Sequence, residues 1–332
     1  MRIWYRVMTL LVGFTVLGLA QPPSFSASSV LNGASLTAGA IAPGEQVIIS
    51  GSNLGDVAAT TCIVNSVAPT SCGNVSVLVN GKAAPLFSIS AGQISFQVPF
   101  GITGASATLQ ISRQTSGQTL QSAVVTVPLA PTSPGLYPSK NYCGTLGDFI
   151  GQSGLPITPL NPAQLGETVR LYGTGFGATN PAMASGSPAP TGGVQVTAPV
   201  RVTVGGKVMP GIFYAGLAPD QVGVYQVNFF LDPFREITAG NLPVVVNVGG
   251  VDSSPVILPV VTSGPQEQMI QEIANGASLT AGPIAPGELA AIKGNNLGDA
   301  TATTCNANGG LPTSCSGVSV LGACLRNADF GR

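Results

Sequence analysis

The strongest constraint on what this chain can fold into is that one unit is written into it three times. LNGASLTAGAIAPGE at Leu31–Glu45 returns almost letter for letter as ANGASLTAGPIAPGE at Ala274–Glu288, a shift of 243 positions. Cys62 and Cys72 return with the same shift as Cys305 and Cys315. A diverged copy lies between: GEQVIISGSNLG (Gly44–Gly55), GETVRLYGTGFG (Gly166–Gly177) and GELAAIKGNNLG (Gly287–Gly298) align at steps of 122 and 121. Self-similarity at such a period predicts copies that share one fold.

Each copy is expected to be all-β. After the Gly-Glu pair, Val47 and Ile49, or Val169 and Leu171, alternate with more polar neighbours, the period of a half-buried strand. Val75, Val77 and Val79 share one face and run into Asn80-Gly81, a tight-hairpin dipeptide; Val200, Val202 and Val204 run into Gly205-Gly206 in the same way. QISFQVP should turn Ile94, Phe96 and Val98 inward, and QVNFFLDP should do so with Val227, Phe229 and Leu231. Strands at this spacing predict tandem antiparallel β-sandwiches of about 100 residues each. The boundaries expected are repeat 1 at 29–136, a diverged repeat 2 at 137–262 and an incomplete repeat 3 at 268–332. The stretch Pro138–Leu165 is expected to be a connector that supplies the first strand of repeat 2, and a turn or two of helix is expected around Glu267–Ile273. Repeat 3 follows repeat 1 through GVSVL and then reads GACLRNADFGR where VNGKAAPLF is due, a loss of register that resembles a frameshift or premature end.

The first twenty residues have the layout of an export leader: Arg2 and Arg6, an apolar run of 13 residues from Met8 to Ala20, and small residues Gly18 and Ala20 before Gln-Pro-Pro. The run falls short of the ~20 residues a spanning helix needs, which favours a cleaved signal peptide at 1–20 over an uncleaved anchor. No membrane span is expected after cleavage. The mature chain would then carry ten basic and thirteen acidic residues, a net charge of −3. In an exported protein the ten-residue spacings of Cys62 with Cys72 and of Cys305 with Cys315 favour two disulfides over metal binding. Cys143 and Cys324 have no repeat-matched mate and are free, joined to each other, or intermolecular.

Composition excludes several functions. Histidine is absent, which removes Ser-His-Asp and Cys-His catalysis and His-containing zinc sites. Only 8% of residues are charged, with no basic excess to meet nucleic acid.

GEQVIISGSNLGD and GETVRLYGTGFGA resemble the opening strand and turn of IPT/TIG domains. NGAS, IAPGE, the GxNLG turn, VxVNGxxAPLF and QISFQVP are similar to an uncharacterised C-terminal Ig-like domain repeated in secreted acidobacterial proteins. The similarity covers 29–136, an N-terminal half at 270–321, and 138–262 in part. It implies an extracellular β-sandwich with no catalytic residues and no cofactor.

The remaining candidates are weak. YGTGFG looks like a phosphate-binding loop but precedes no helix, so positive φ in a turn explains its glycines. Glu45, Glu167 and Glu288 are expected to be solvent-facing or turn-stabilising at strand starts; as equivalents in separate units they would not meet as a glycosidase pair. Asp56 with Asn53, and Asp299 with Asn296, offer too few oxygens for calcium. Tyr214 and Tyr225 flank the AGLAPDQVG loop and are the candidate exposed ligand contacts. The expectation is a secreted or cell-surface, non-enzymatic structural, spacer or adhesive protein, with a carbohydrate- or polymer-binding module as the alternative. The partners expected are an extracellular polysaccharide or a cell-surface protein.

Overall fold

A computed structural model describes residues 21–56, 58–115, 117–139 and 145–261, and beyond these 269–275, 277–278, 290–295, 314–315 and 318–319. The expected signal peptide at 1–20, Cys143, Cys305, Cys324, Glu288, Asn296, Asp299 and most of the third copy lie outside the described residues, as does the side chain of Cys315.

The described residues form β-strands and turns, with one turn of 3-10 helix at Pro233–Arg235. The first copy is a sandwich of two sheets. One runs Ser24–Asn32, Gln46–Ser52, Gln93–Gln97, Leu86–Ile89, Thr60–Thr61; the other runs Val125–Pro128, Ser106–Thr115, Val75–Val79, Lys82–Ala83. The second copy repeats this order with Thr168–Thr174, Tyr225–Phe230 and Ile212–Leu217 in one sheet and Val256–Val261, Gly240–Val248 and Val200–Val204 in the other. Register fixes the equivalence: Val47 faces Phe96 across the strands as Val169 faces Phe229. The alternation read from the sequence is the burial observed, since Val47, Ile49, Val75, Val77, Val79, Ile94, Phe96 and Val98 all fill one core. Val169, Leu171, Val202, Val204, Val227, Phe229 and Leu231 fill the other, with Val200 half-buried at its rim. Asn80 and Gly81 both take positive φ, 48° and 74°, as a type I′ hairpin demands.

Two expectations are corrected. The first strand of the second sandwich is split: Gly135–Leu136 precedes the connector and Phe149–Ile150 lies within it, both paired with Thr168–Thr174. In the first sandwich the corresponding strand, Ser24–Asn32, is continuous but loses register between Phe25 and Val30. The extra residues of the second copy are therefore inserted at an existing bulge, where the ladder is already interrupted and added chain costs least. Around Glu267–Ile273 there is strand rather than helix at Met269–Asn275, antiparallel to Ala290–Asn295, just as Ser24–Asn32 pairs with Gln46–Ser52. Tertiary pairing here overrides local helix propensity.

Candidate functional site

The densest polar chemistry lies where one end of the first sandwich meets the opposite end of the second. Strand starts of the first (Gly44–Gln46) face strand ends of the second (Gly173–Gly177), so the two stack head to tail. Gln46 is the centre. Its backbone N–H donates to Thr174 Oγ1 (2.7 Å), its Nε2 donates to the Val222 carbonyl (2.6 Å), and its Oε1 accepts from the Tyr137 hydroxyl (2.6 Å). Gln97, fully buried, accepts at Oε1 from the Gly186 N–H (2.7 Å); the Phe100 N–H donates to Ser185 Oγ (2.9 Å), and the Ala68 N–H donates to the Gly186 carbonyl (2.9 Å). The Phe100 ring packs on the core of the second sandwich. Gly44, at φ +79°, leaves no room for a Cβ because the Phe100 ring and, at 2.6 Å, the Tyr225 hydroxyl stand there. Glycine is required at this position by both φ and space.

Glu45 sits just behind this joint. It is fully buried, with Oε1 accepting from Asn32 Nδ2 (2.8 Å) and Oε2 from the Ala42 N–H (2.6 Å). The expectation of a solvent-facing group is wrong for Glu45; the turn-stabilising role is what the geometry shows. Burial pushes its carboxyl well above the usual range, opposed by the N–H of Ala42 and the amide of Asn32. Asn32 uses all of its amide: Oδ1 accepts from the Ala34 and Ser35 N–H groups, and Nδ2 also reaches the Ser133 carbonyl (3.0 Å) of the linker. The NGAS motif thus ties a turn, a buried carboxyl and the linker together. Burial likewise raises the Tyr137 and Tyr225 hydroxyls, and the nearby Glu45 carboxylate adds to both.

The two candidate tyrosines do not form an exposed pair. Tyr225 is fully buried, stacked 5.1 Å from Phe176 with its hydroxyl donating to the Gly177 carbonyl (2.5 Å), because an inward strand position packs the ring into the core. Tyr214 is half-buried and its hydroxyl donates to the Leu217 carbonyl (2.6 Å). Cys62 and Cys72 form a disulfide. Asp56 pairs with Arg113 Nη2 (2.9 Å), and Asn53 Nδ2 donates to Gln21 Oε1 (3.3 Å), so the two do not converge on a common point. The glycine-rich turns use positive φ, at Asn53 in the first copy and Gly175 in the second, to bury Leu54 and Phe176. A polar cleft beside the joint, lined by Asn32, Ser35, Thr37, Ser133 and Asp252, encloses about 150 Å³. Small-molecule sites are commonly ~300–1,000 Å³.

The family model of the IPT/TIG domain matches residues 29–127, the first sandwich. An IPT/TIG domain is present. No protein of curated function matches the sequence. Among solved structures, the full extracellular region of plexin A4 is similar at 16% identity over 67% of this chain, with a TM-score of 0.23; the chain spans 17% of that region's length. The C-terminal domain of the Streptococcus agalactiae AgI/II polypeptide BspA is similar at 11% identity, covering 73% of this chain and 100% of that one, with a TM-score of 0.18. Likeness at these scores carries no argument about role. The second sandwich lies outside the matched residues but shares the strand order of the IPT/TIG domain before it.

Sequence reasoning missed Gln46, Gln97, Phe100 and Thr174. The signal was available in the repeat alignment: Gln46 and Gln97 of the IPT/TIG domain become Thr168 and Phe230 in the second copy, while the flanking core residues stay apolar. Among the described residues no group of three or more His, Cys, Asp or Glu side chains could hold a metal ion, and no helix is long and apolar enough to cross a membrane.

Proposed function

We propose that this is an exported, non-enzymatic structural protein, a spacer or adhesive arm whose Ig-like units are locked end to end outside the cell. The joint carries the reading. A flexible tether needs no buried contacts between its units, whereas here a fully buried glutamine, a half-buried one and a phenylalanine of one sandwich are fixed by the other. Polar groups buried in this way hold one geometry, because any other arrangement leaves donors and acceptors unpaired. Transmitting a fixed direction and distance is the property an arm requires. The Cys62–Cys72 bridge supports an oxidising, extracytoplasmic location, and the leader at 1–20 gives the route.

Small-angle scattering on the mature chain tests the reading. The two sandwiches should scatter as one elongated body of fixed inter-unit angle, and Gln46→Ala combined with Gln97→Ala should broaden that angle. A wild-type chain that already samples many angles would defeat the proposal. The polymer-binding alternative has less support, since Tyr225 is buried and the Tyr214 hydroxyl is engaged internally.

A further inference from the structure

The second sandwich carries, away from the joint, exposed phenylalanines that the first does not. Phe234 is 90% exposed and Phe213 65% exposed, with the Phe213 and Phe230 rings 6.5 Å apart. Phe234 is not on a loose loop. Asp232 accepts from the Phe234 N–H at Oδ1 (3.0 Å) and from Arg235 Nε at Oδ2 (3.1 Å), which holds the 3-10 turn that presents the ring. The fixed turn gives that exposed ring one position relative to the sandwich.

Position in the repeat identifies the occupant. QISFQVPF ends at Phe100 and QVNFFLDPF ends at Phe234, so the two phenylalanines are equivalent after a single inserted residue, Asp232. Phe100 is the residue that packs on the core of the following unit. The following unit is also reached through a matching tether. Six residues separate Val125–Pro128 from Gly135–Leu136, and seven separate Val256–Val261 from Met269–Asn275. Both tethers carry Thr-Ser followed by Pro and Gly in one order or the other, at 132–135 and 262–265. Finally, the third copy carries GNNLG at Gly294–Gly298 where the second carries GTGFG, the turn that receives Gln46, so Asn295 stands at the place of Thr174.

We propose that the Phe213, Phe230 and Phe234 end of the second sandwich is the docking face for the third copy of this chain, residues 268–332, with Phe234 seated against it as Phe100 is seated against the second. The inference rests on the stacked-arm reading above and extends it from one joint to two. Stacking of this sort is heterologous: each unit offers one end and receives on the other, so the geometry propagates along the chain.

Hydrogen exchange on the full mature chain, wild type against Phe234→Ser, decides it. Peptides spanning Ala290–Gly298 should be protected in the wild type and exchange at least ~10-fold faster in the variant. Peptides over Gly44–Ser50 and Gly240–Val248, reporting the first joint and the second core, should be unchanged, because the exposed Phe234 ring belongs to neither hydrophobic core. Equal exchange over Ala290–Gly298 in the two proteins overturns the inference while leaving the first joint intact. Rapid exchange over Gly44–Ser50 in the wild type would instead sink the stacked-arm reading itself. Protection that vanishes on dilution would mean that a second copy covers the face, and would also overturn it.

Discussion

The two complete sandwiches agree strand for strand and differ at their ends. In the first, the carboxyl at the strand start, Glu45, is buried with Asn32 beside it; in the second, Glu167 is half-buried and Gly151 occupies the place of Asn32. Both carboxylates accept from the backbone N–H three residues earlier, Ala42 or Gln164 (2.9 Å), so the turn is conserved in function while its surroundings change. The end faces differ in the same way, Gln46, Gln97 and Phe100 against Thr168, Phe230 and Phe234. The strands are held by interchangeable apolar cores, and what is particular to each unit is the neighbour its end is shaped to meet.

The largest separation between the two copies is expected from removing these carboxyls. Glu45→Ala leaves two donors directed into a dry site, and each unsatisfied buried group costs about 1–3 kcal/mol, so the first sandwich should lose about 3 kcal/mol. Glu167→Ala should cost under ~1 kcal/mol, because water can reach the half-buried site and replace the carboxylate. Urea denaturation with peptide-resolved hydrogen exchange reads each sandwich separately. Equal losses would show that the burial difference has no energetic weight.

The disulfide is the next difference. Only the first sandwich contains one among the described residues, closing a ten-residue separation between Cys62 and Cys72. Cys62→Ser with Cys72→Ser should destabilise that sandwich by about 2–3 kcal/mol, mainly by freeing its unfolded chain. The second sandwich should hold its own midpoint. If both fall together, the joint couples their unfolding more strongly than each core resists it.

Gln46→Ala probes that coupling directly. It removes the bonds to Val222 and Tyr137, a cost of about 1–2 kcal/mol borne by the joint rather than by either core. The expected sign is a wider separation of the two unfolding midpoints in calorimetry. The reverse exchange, Thr168→Gln, should leave the separation of these two midpoints unchanged, since Thr168 lies at the end of the second sandwich away from this joint.

How far the sequence could foretell this divides along the same line. Period-two alternation exposed the cores because a strand with one buried face has no other way to be written: Phe96 and Phe229 were legible as core from their neighbours alone. The disulfide loop was legible from spacing. The joint was not, because Gln46 and Gln97 are polar residues at strand positions that look solvent-facing in a single unit, and their partners across the joint lie 89 to 176 residues away. Tyr225 was misjudged for a related reason. A loop-flanking tyrosine resembles a surface contact until the register with Thr168–Thr174 turns it inward.

The smallest effect expected over an accessible pH range comes from Glu45, and its sign follows from burial. Burial is the leading cause that lifts its carboxyl, and the Tyr137 and Tyr225 hydroxyls face it with pKa values also raised. Between the ordinary carboxyl pKa of ~4.3 and the lifted one, the folded chain holds a proton that the unfolded chain has released. Stability then falls with rising pH, because its slope follows the protons bound by the unfolded state minus those bound by the folded state. The contribution is whole below the ordinary carboxyl pKa and is lost as pH climbs through the folded value. The urea midpoint of the first sandwich should therefore drop from pH 5 to pH 7.5, and Glu45→Gln, which cannot titrate, should flatten that trend even though its own stability is lower. A midpoint that instead rises over this range would mean that the two N–H donors from Asn32 and Ala42 outweigh burial and hold Glu45 ionised, making the buried end of the first sandwich electrostatically closer to the half-buried end of the second than its geometry implies.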